Sequence, residues 1–198
     1  MRERPILFNG AMVRAILSGA KSQTRRAVKP QPAPGQGMVN AAYCGDRHLW
    51  LRDGSCDKTD PAKEWRCPFG QPGDRLWVRE TWAQHADHPA MRRAVYRADS
   101  GSEHDAERWR PNIHMPRWAC RLVMEITDVR VERLQAISEA DAQREGAGDN
   151  VDYTRNRTYR DDFRDIWTST GGDWDANPWV WVIGFKVVDQ QAKQEVQL

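Results

Sequence analysis

The sequence predicts an α+β domain, a small closed or nearly closed β-barrel with short helices at its mouth, on three observations. An amphipathic helix pattern lies near the start, alternating apolar runs fill the middle, and two short capped helices precede a continuously apolar last run. Between Lys29 and Gly73, six prolines and frequent glycines break all periodicity, which marks a long Pro/Gly-rich insertion.

Asn9 is placed to cap a helix with Met12, Val13, Ile16 and Leu17 on one face and Gly19 as its stop. The segment from Lys21 to Arg26 follows as a basic stretch just past that helix. Pro72-Gly73-Asp74 is a turn feeding an alternating strand over residues 75–82, and residues 93–98 fit a second, short strand. A longer run from Trp118 to Val131 sets Cys120, Leu122, Met124 and Ile126 on one face. Its phase changes by Val129 and Val131, which predicts a bend or bulge.

Ser138 with Asp141 forms a capping-box pattern for a short helix ending near Gly146, and Thr158 with Asp161 repeats it. Tyr159, Phe163, Ile166 and Trp167 then make a helical core stripe. The run Trp179 to Val188 reads as a buried strand. The expected organisation is one domain over residues 1–189, interrupted by 29–73, with a flexible tail at 190–198.

Of the 198 residues, 39% are hydrophobic and 29% charged, and the net charge is +2. This composition suits a globular chain and does not announce a bulk electrostatic nucleic-acid binder. No run approaches the roughly 20 apolar residues that a membrane helix needs, and no export signal is read, so a cytoplasmic protein is expected. Charge is nonetheless uneven: Pro5 to Gly45 holds no Asp or Glu but carries Arg14, Lys21, Arg25, Arg26 and Lys29. Such a stretch fits either a solvated face or a contact with an anion or nucleic acid. The ten Trp fit core positions, and those beside Arg also suit stacking on nucleobases.

Cys44, His48, Cys56 and Cys67 fall in the insertion, but without a Cys-x-x-Cys pair they are read as ordinary loop and core positions, and no metal or other cofactor is expected. The four cysteines are expected as reduced thiols. His85, His88, His104 and His114 are read as surface residues.

The string Gly19-Ala-Lys-Ser-Gln-Thr-Arg-Arg26 resembles the Gly-x-Lys-x-x-Thr-x-Arg signature of the ASCH family, whose fold is a PUA-like β-barrel. Pro72-Gly-Asp-Arg-Leu-Trp-Val78 is similar to that family's Gly-Asp turn, residues 134–146 to its acidic helix, and residues 180–188 to its last strand. Lys-Ser-Gln-Thr-Arg-Arg together with Trp-Val-Arg-Glu-Thr-Trp looks especially like ASCH proteins encoded by phages and prophages.

One ASCH branch removes the acyl group of N4-acetylcytidine with a Lys, a Thr and a Glu. The resemblance implies that here these are Lys21, Thr24 and Glu145: base, nucleophile, and an acid that also positions the amide. Arg25, Arg26, Glu80 and Trp82 are the accompanying candidates for substrate contact, and Ser22 is a competing hydroxyl. A lysine base must be neutral, which requires burial or neighbouring cations to lower its pKa. The alternative is a non-catalytic RNA- or DNA-binding module, or a ribonuclease, on the same barrel mouth. By residue type alone, the three candidates fit better a basic turn, a backbone-bonded hydroxyl and a surface acid.

Overall fold

A computed structural model describes residues 1–33, 39–40, 50–51, 64–87, 92–148 and 156–190. Strand β1 (Glu3–Leu7) leads into helix α1 (Gly10–Leu17), and β2 (Gln23–Ala27) follows directly. The short strands β3 (Val39–Asn40), β4 (Trp50–Leu51) and β5 (Glu64–Trp65) come next, then β6 (Arg75–Arg79), β7 (Trp82–Gln84) and β8 (Ala94–Tyr96). Strand β9 (Leu122–Arg133), helices α2 (Glu139–Arg144) and α3 (Tyr159–Ser169) and strand β10 (Trp179–Gln190) follow, with short 3-10 turns at Asn112–His114, Arg117–Ala119 and Leu134–Ala136.

The main sheet has the order β1-β6-β9-β10-β2, parallel between β1 and β6 and antiparallel elsewhere. Its two edges, β1 and β2, are joined by a side chain: the Arg26 guanidinium donates to the Leu7 carbonyl at 2.8 Å. This differs from the closed ladder of a strict barrel. Pro5 in β1 removes a backbone donor, which an edge strand tolerates and an interior one does not. β3-β4-β5 and β7-β8 form two small separate sheets.

β10 explains its own unbroken apolar run, because both of its faces are covered. Trp181 and Ile183 enter the main core with Ile6, Val13, Leu76 and Met124, whereas Val180 and Val182 pack against Leu134, Ala142 and Phe163 under α2 and α3. The expected change of phase in β9 is a bulge: Asp128 pairs with Gly184 and Ile126 with Phe185, so Thr127 is the extra residue. Past it, Val129 and Val131 return to the main core.

Caps fall where the sequence set them. The Asn9 side chain accepts from the Met12 amide at 2.9 Å, Ser138 accepts from Asp141, and Thr158 with Asp161 makes a reciprocal box. Other expectations need correction. The alternating segment 75–82 breaks after Arg79, and Trp82 starts β7 in another sheet. Cys120 precedes β9 and packs with Trp82, Met115 and Val123 in a third cluster, not with Leu122, Met124 and Ile126. His85 is buried, its Nδ1 accepting from the Asp87 amide at 3.2 Å. His104 and His114 are exposed, while His88, Cys44, His48 and Cys56 lie outside the described residues.

Within 29–73, Trp65 and Cys67 belong to the main core, and Cys67 and Cys120 are free thiols. Of the expected tail, Gln190 pairs with Leu122, and residues 191–198 lie outside the described set. Among the described residues no helix is long and apolar enough to cross a membrane, and no cluster of ligands suits a metal ion.

Ile183 is fully buried at the centre of the main core. Ile183→Ala is expected to cost about 2–5 kcal/mol, read as a lowered urea midpoint, against about 1 kcal/mol for Thr158→Ala at the α3 cap.

Candidate functional site

Most of the basic stretch past α1 is an edge strand, and its pairing sorts the candidate side chains by face. In the antiparallel ladder Thr24 lies opposite Ile183, Arg25 opposite Val182 and Arg26 opposite Trp181. Opposed residues share a face, so Thr24 and Arg26 look toward the main core and Arg25 toward α2 and α3. The Arg25 guanidinium lies 5.8 Å from the Phe163 ring centroid, on that second face.

Lys21 sits just before β2, where two helix ends meet. Its amide donates to the Ala15 carbonyl near the end of α1, and the next amide, of Ser22, donates to Arg144 at the end of α2. Glu145 is therefore brought opposite Lys21 as an isolated antiparallel bridge, across 124 residues of sequence. The fit depends on Gly146: at φ +85° a Cβ there would lie 3.2 Å from Ala15 and 3.3 Å from Lys21.

Lys21 is 3% exposed and Glu145 4%. Lys21 Nζ donates to Glu145 Oε2 at 2.9 Å and to the Glu145 carbonyl at 2.6 Å. On the other side of the same carboxylate, Arg25 donates to Oε1 at 3.0 Å. Arg25 also reaches Glu132 at 3.0 Å and Asp141 at 3.5 Å. Arg130 bonds those same two acids, at 2.6 and 2.9 Å.

Thr24 is 1% exposed, and its Oγ1 accepts from Arg26 at 3.0 Å. Arg26 also donates to the Arg25 carbonyl and lies 5.0 Å from the centre of the Phe8 ring. Lys21 Nζ lies 5.9 Å from the same ring. Phe8 is thus the apolar wall shared by the two cations.

Burial is the largest influence on Lys21 and pushes its pKa below the ordinary lysine value. Glu145 opposes that shift, while the charges of Arg26 and Arg25 add to it. A lysine in these surroundings holds its proton less tightly than one in water, and its neighbour at 2.9 Å is a proton acceptor.

The structure joins Lys21, Glu145 and Arg25 directly and pairs Thr24 with Arg26, and Lys21 and Arg26 meet at the Phe8 ring. It assembles Glu80 into a second cluster: Arg121 grips both carboxylate oxygens at 2.9 Å and holds Asp99 at 2.8 and 2.9 Å. Burial chiefly raises the Glu80 pKa, against the pull of Arg121. Trp82 is buried in the third cluster, edge-on to Trp118 at 5.5 Å.

Sequence reasoning missed Phe8 and the Glu132–Arg130 extension. The Ile6/Phe8 alternation beside Pro5 was the available signal for the first. Nothing local marks the second, because its pairing partner is on another strand.

No family model and no curated protein matches the chain. Among solved structures it is similar to an ASCH domain from Lactobacillus crispatus, at 15% identity and TM-score 0.40, covering 96% of this chain and 81% of that one. It is also similar to a DUF984 protein from Enterococcus faecalis, at 12% identity and TM-score 0.41, covering 97% of this chain and 83% of the other.

The lowered pKa of Lys21 sets a sign for stability against pH. Below 10.5, the ordinary value, the unfolded chain binds more protons at this site than the folded chain. The stability difference between the parent and Lys21→Met should therefore rise in favour of the parent as pH climbs from the folded pKa towards 10.5. Paired urea titrations across the alkaline range check this; a flat or falling difference would show that Lys21 is not depressed.

Proposed function

We propose that this protein is an amidohydrolase that removes the acyl group from N4-acylated cytosine nucleosides, with Thr24 as nucleophile, Lys21 as base and Glu145 as acid. The observation that carries this reading is the buried Lys21–Glu145 contact at 2.9 Å, with a depressed lysine next to a strand that presents a buried threonine.

Neutral Lys21 takes the Thr24 proton as Oγ1 bonds to the acyl carbon. The Arg26 N–H at 3.0 Å steadies negative charge on that oxygen. The proton passes from Nζ to Oε2 along the existing hydrogen bond and then to N4 as the C–N bond breaks, releasing cytidine. Water then attacks the acyl-threonine ester, giving a proton to Lys21, which returns it to Thr24 Oγ1 as the ester C–O bond breaks; the free acid leaves and ionises to the carboxylate. Arg25 fixes the far oxygen of Glu145, so the carboxylate keeps Oε2 turned to Lys21. On this reading Arg25 holds the acid in place and does not touch the substrate.

Chromatography of N4-acetylcytidine incubated with purified protein should show cytidine and acetate. Release should fall by roughly 100-fold or more in Thr24→Ala, Lys21→Ala and Glu145→Gln, each checked for folding by circular dichroism, and should survive a chelator. No release from acetyl or longer acyl analogues by folded parent protein would sink the reading.

A second reading, binding of single-stranded RNA or DNA without catalysis, is favoured by a separate surface. Arg79 and Arg117 lie 5.4 and 5.8 Å from the Trp77 ring centre, and beside them Trp118 and Ile113 are exposed. Alternating guanidinium groups and rings suit stacked bases and a phosphate backbone. If this surface binds, affinity for a labelled oligonucleotide should fall with salt, and Arg79→Gln with Arg117→Gln should flatten the log–log slope by about 1.4. An unchanged slope would exclude the surface.

A further inference from the structure

Arg25 meets Glu145 through Nη1, while its other terminal nitrogen, Nη2, lies between two further carboxylates, Glu132 at 3.0 Å and Asp141 at 3.5 Å. The guanidinium is buried and is drawn by acids on both sides. Whether it stays on Glu145 therefore depends on what else neutralises Glu132 and Asp141.

Arg130 supplies that counter-charge. Arg25 on β2 and Arg130 on β9 both pair with Val182 of β10, so they stand in one row on one face of the sheet, about 10 Å apart across two ladder spacings. Arg130 Nε donates to Glu132 Oε1 at 2.6 Å and Nη2 to Asp141 Oδ2 at 2.9 Å, each shorter than the bond that Arg25 makes to the same acid. Its third nitrogen, Nη1, reaches Gln23 Oε1 at 3.3 Å and Asp128 at 3.4 Å, so Arg130 also touches the residue two positions before Arg25 on β2. Arg144 bonds the other oxygen of Asp141 at 3.1 Å, but from an exposed position. A planar fork serves several acceptors at once in fixed directions, which a lysine ammonium does not.

Without Arg130, Glu132 would have Arg25 as its one ionic partner among the described residues and would draw that guanidinium away from Glu145. Two consequences for Lys21 have the same sign. The Arg25 charge, which disfavours protonated lysine, moves off, and Glu145, no longer shared, attracts the ammonium more strongly. The charged groups that act on Lys21 are Glu145, Arg26 and Arg25, and Arg26 keeps its own bonds to Thr24 and the Leu7 carbonyl.

We propose that Arg130 is a positioning residue: by neutralising Glu132 and Asp141 it keeps Arg25 on Glu145, and thereby keeps the Lys21–Glu145 pair set for deacylation, a role that rests on the amidohydrolase reading. One arm of the test needs no turnover. The Lys21 side chain is titrated by NMR in isotopically labelled full-length protein, its signal assigned with Lys21→Met. In Arg130→Gln the Lys21 midpoint should rise by about half a pH unit or more, in protein whose remaining amide spectrum is that of the parent. Arg130→Lys, which keeps the charge without the fork, should give a smaller rise and carries the test if the glutamine variant does not fold. Adding Glu132→Gln to Arg130→Gln should return the midpoint towards that of the parent, which a merely structural role would not do. In turnover of N4-acetylcytidine, Arg130→Gln should lower kcat by about tenfold near neutral pH with KM changed by less than about twofold, and the loss should shrink as pH rises. An unmoved or lowered Lys21 midpoint in the folded variants, or a rise that Glu132→Gln leaves in place, overturns the proposal. Absence of turnover by the parent sinks the amidohydrolase reading, while the titration still decides whether Arg130 keeps Arg25 on Glu145, so the two failures are told apart.

Discussion

Glu145 sits between two buried basic side chains, Lys21 just before β2 and Arg25 within it. Lys21 meets one oxygen at 2.9 Å and Arg25 the other at 3.0 Å. The carboxylate thereby ties the end of α2 to the residue that leads into β2 and to the middle of that strand. Removing one member of such a group leaves the others buried and uncompensated, a loss of about 3–5 kcal/mol for a typical buried pair. The placement of β2 at the sheet edge, the depth of Lys21 and the seating of α2 all depend on this one group.

A well-packed apolar pair of equal volume often holds two elements together as well as a buried ion pair does. Stability alone is therefore a weak reason for charge at this place. What the charges add is a proton with two nearby residences, Nζ and Oε2, in surroundings where burial and two arginines disfavour the protonated lysine. The same surroundings put Thr24 next to Arg26, whose N–H would meet an oxygen as it gains charge. On the proposed reading, packing and acid–base chemistry both follow from this one arrangement.

β10 makes that arrangement possible. Its alternation supplies residues to two cores, and its other ladder neighbour is β9. The bulge at Thr127 resets β9 by one residue, so Ile126 and Val129 both reach the main core although their spacing is odd. The acidic partners of Arg25 follow from the same geometry: Glu132 lies beyond the bulge on β9, next to Arg130, and Asp141 is on α2.

Local chemistry made much of this legible in advance. The caps at Asn9, Ser138 and Thr158, the stripe through Phe163, the change of phase in β9 and the buried last strand depend on side chains a few residues apart, so the sequence by itself determined them. Lys21, Thr24 and Glu145 were legible as candidates through motif order. Tertiary structure alone decided that the basic segment 21–26 is a buried edge strand, that Arg25 turns away from Thr24 to brace Glu145, that Glu80 is gripped by Arg121, and that His85 is buried. Each of these depends on a partner distant in sequence, and burial of a charge is settled only when that partner arrives to compensate it.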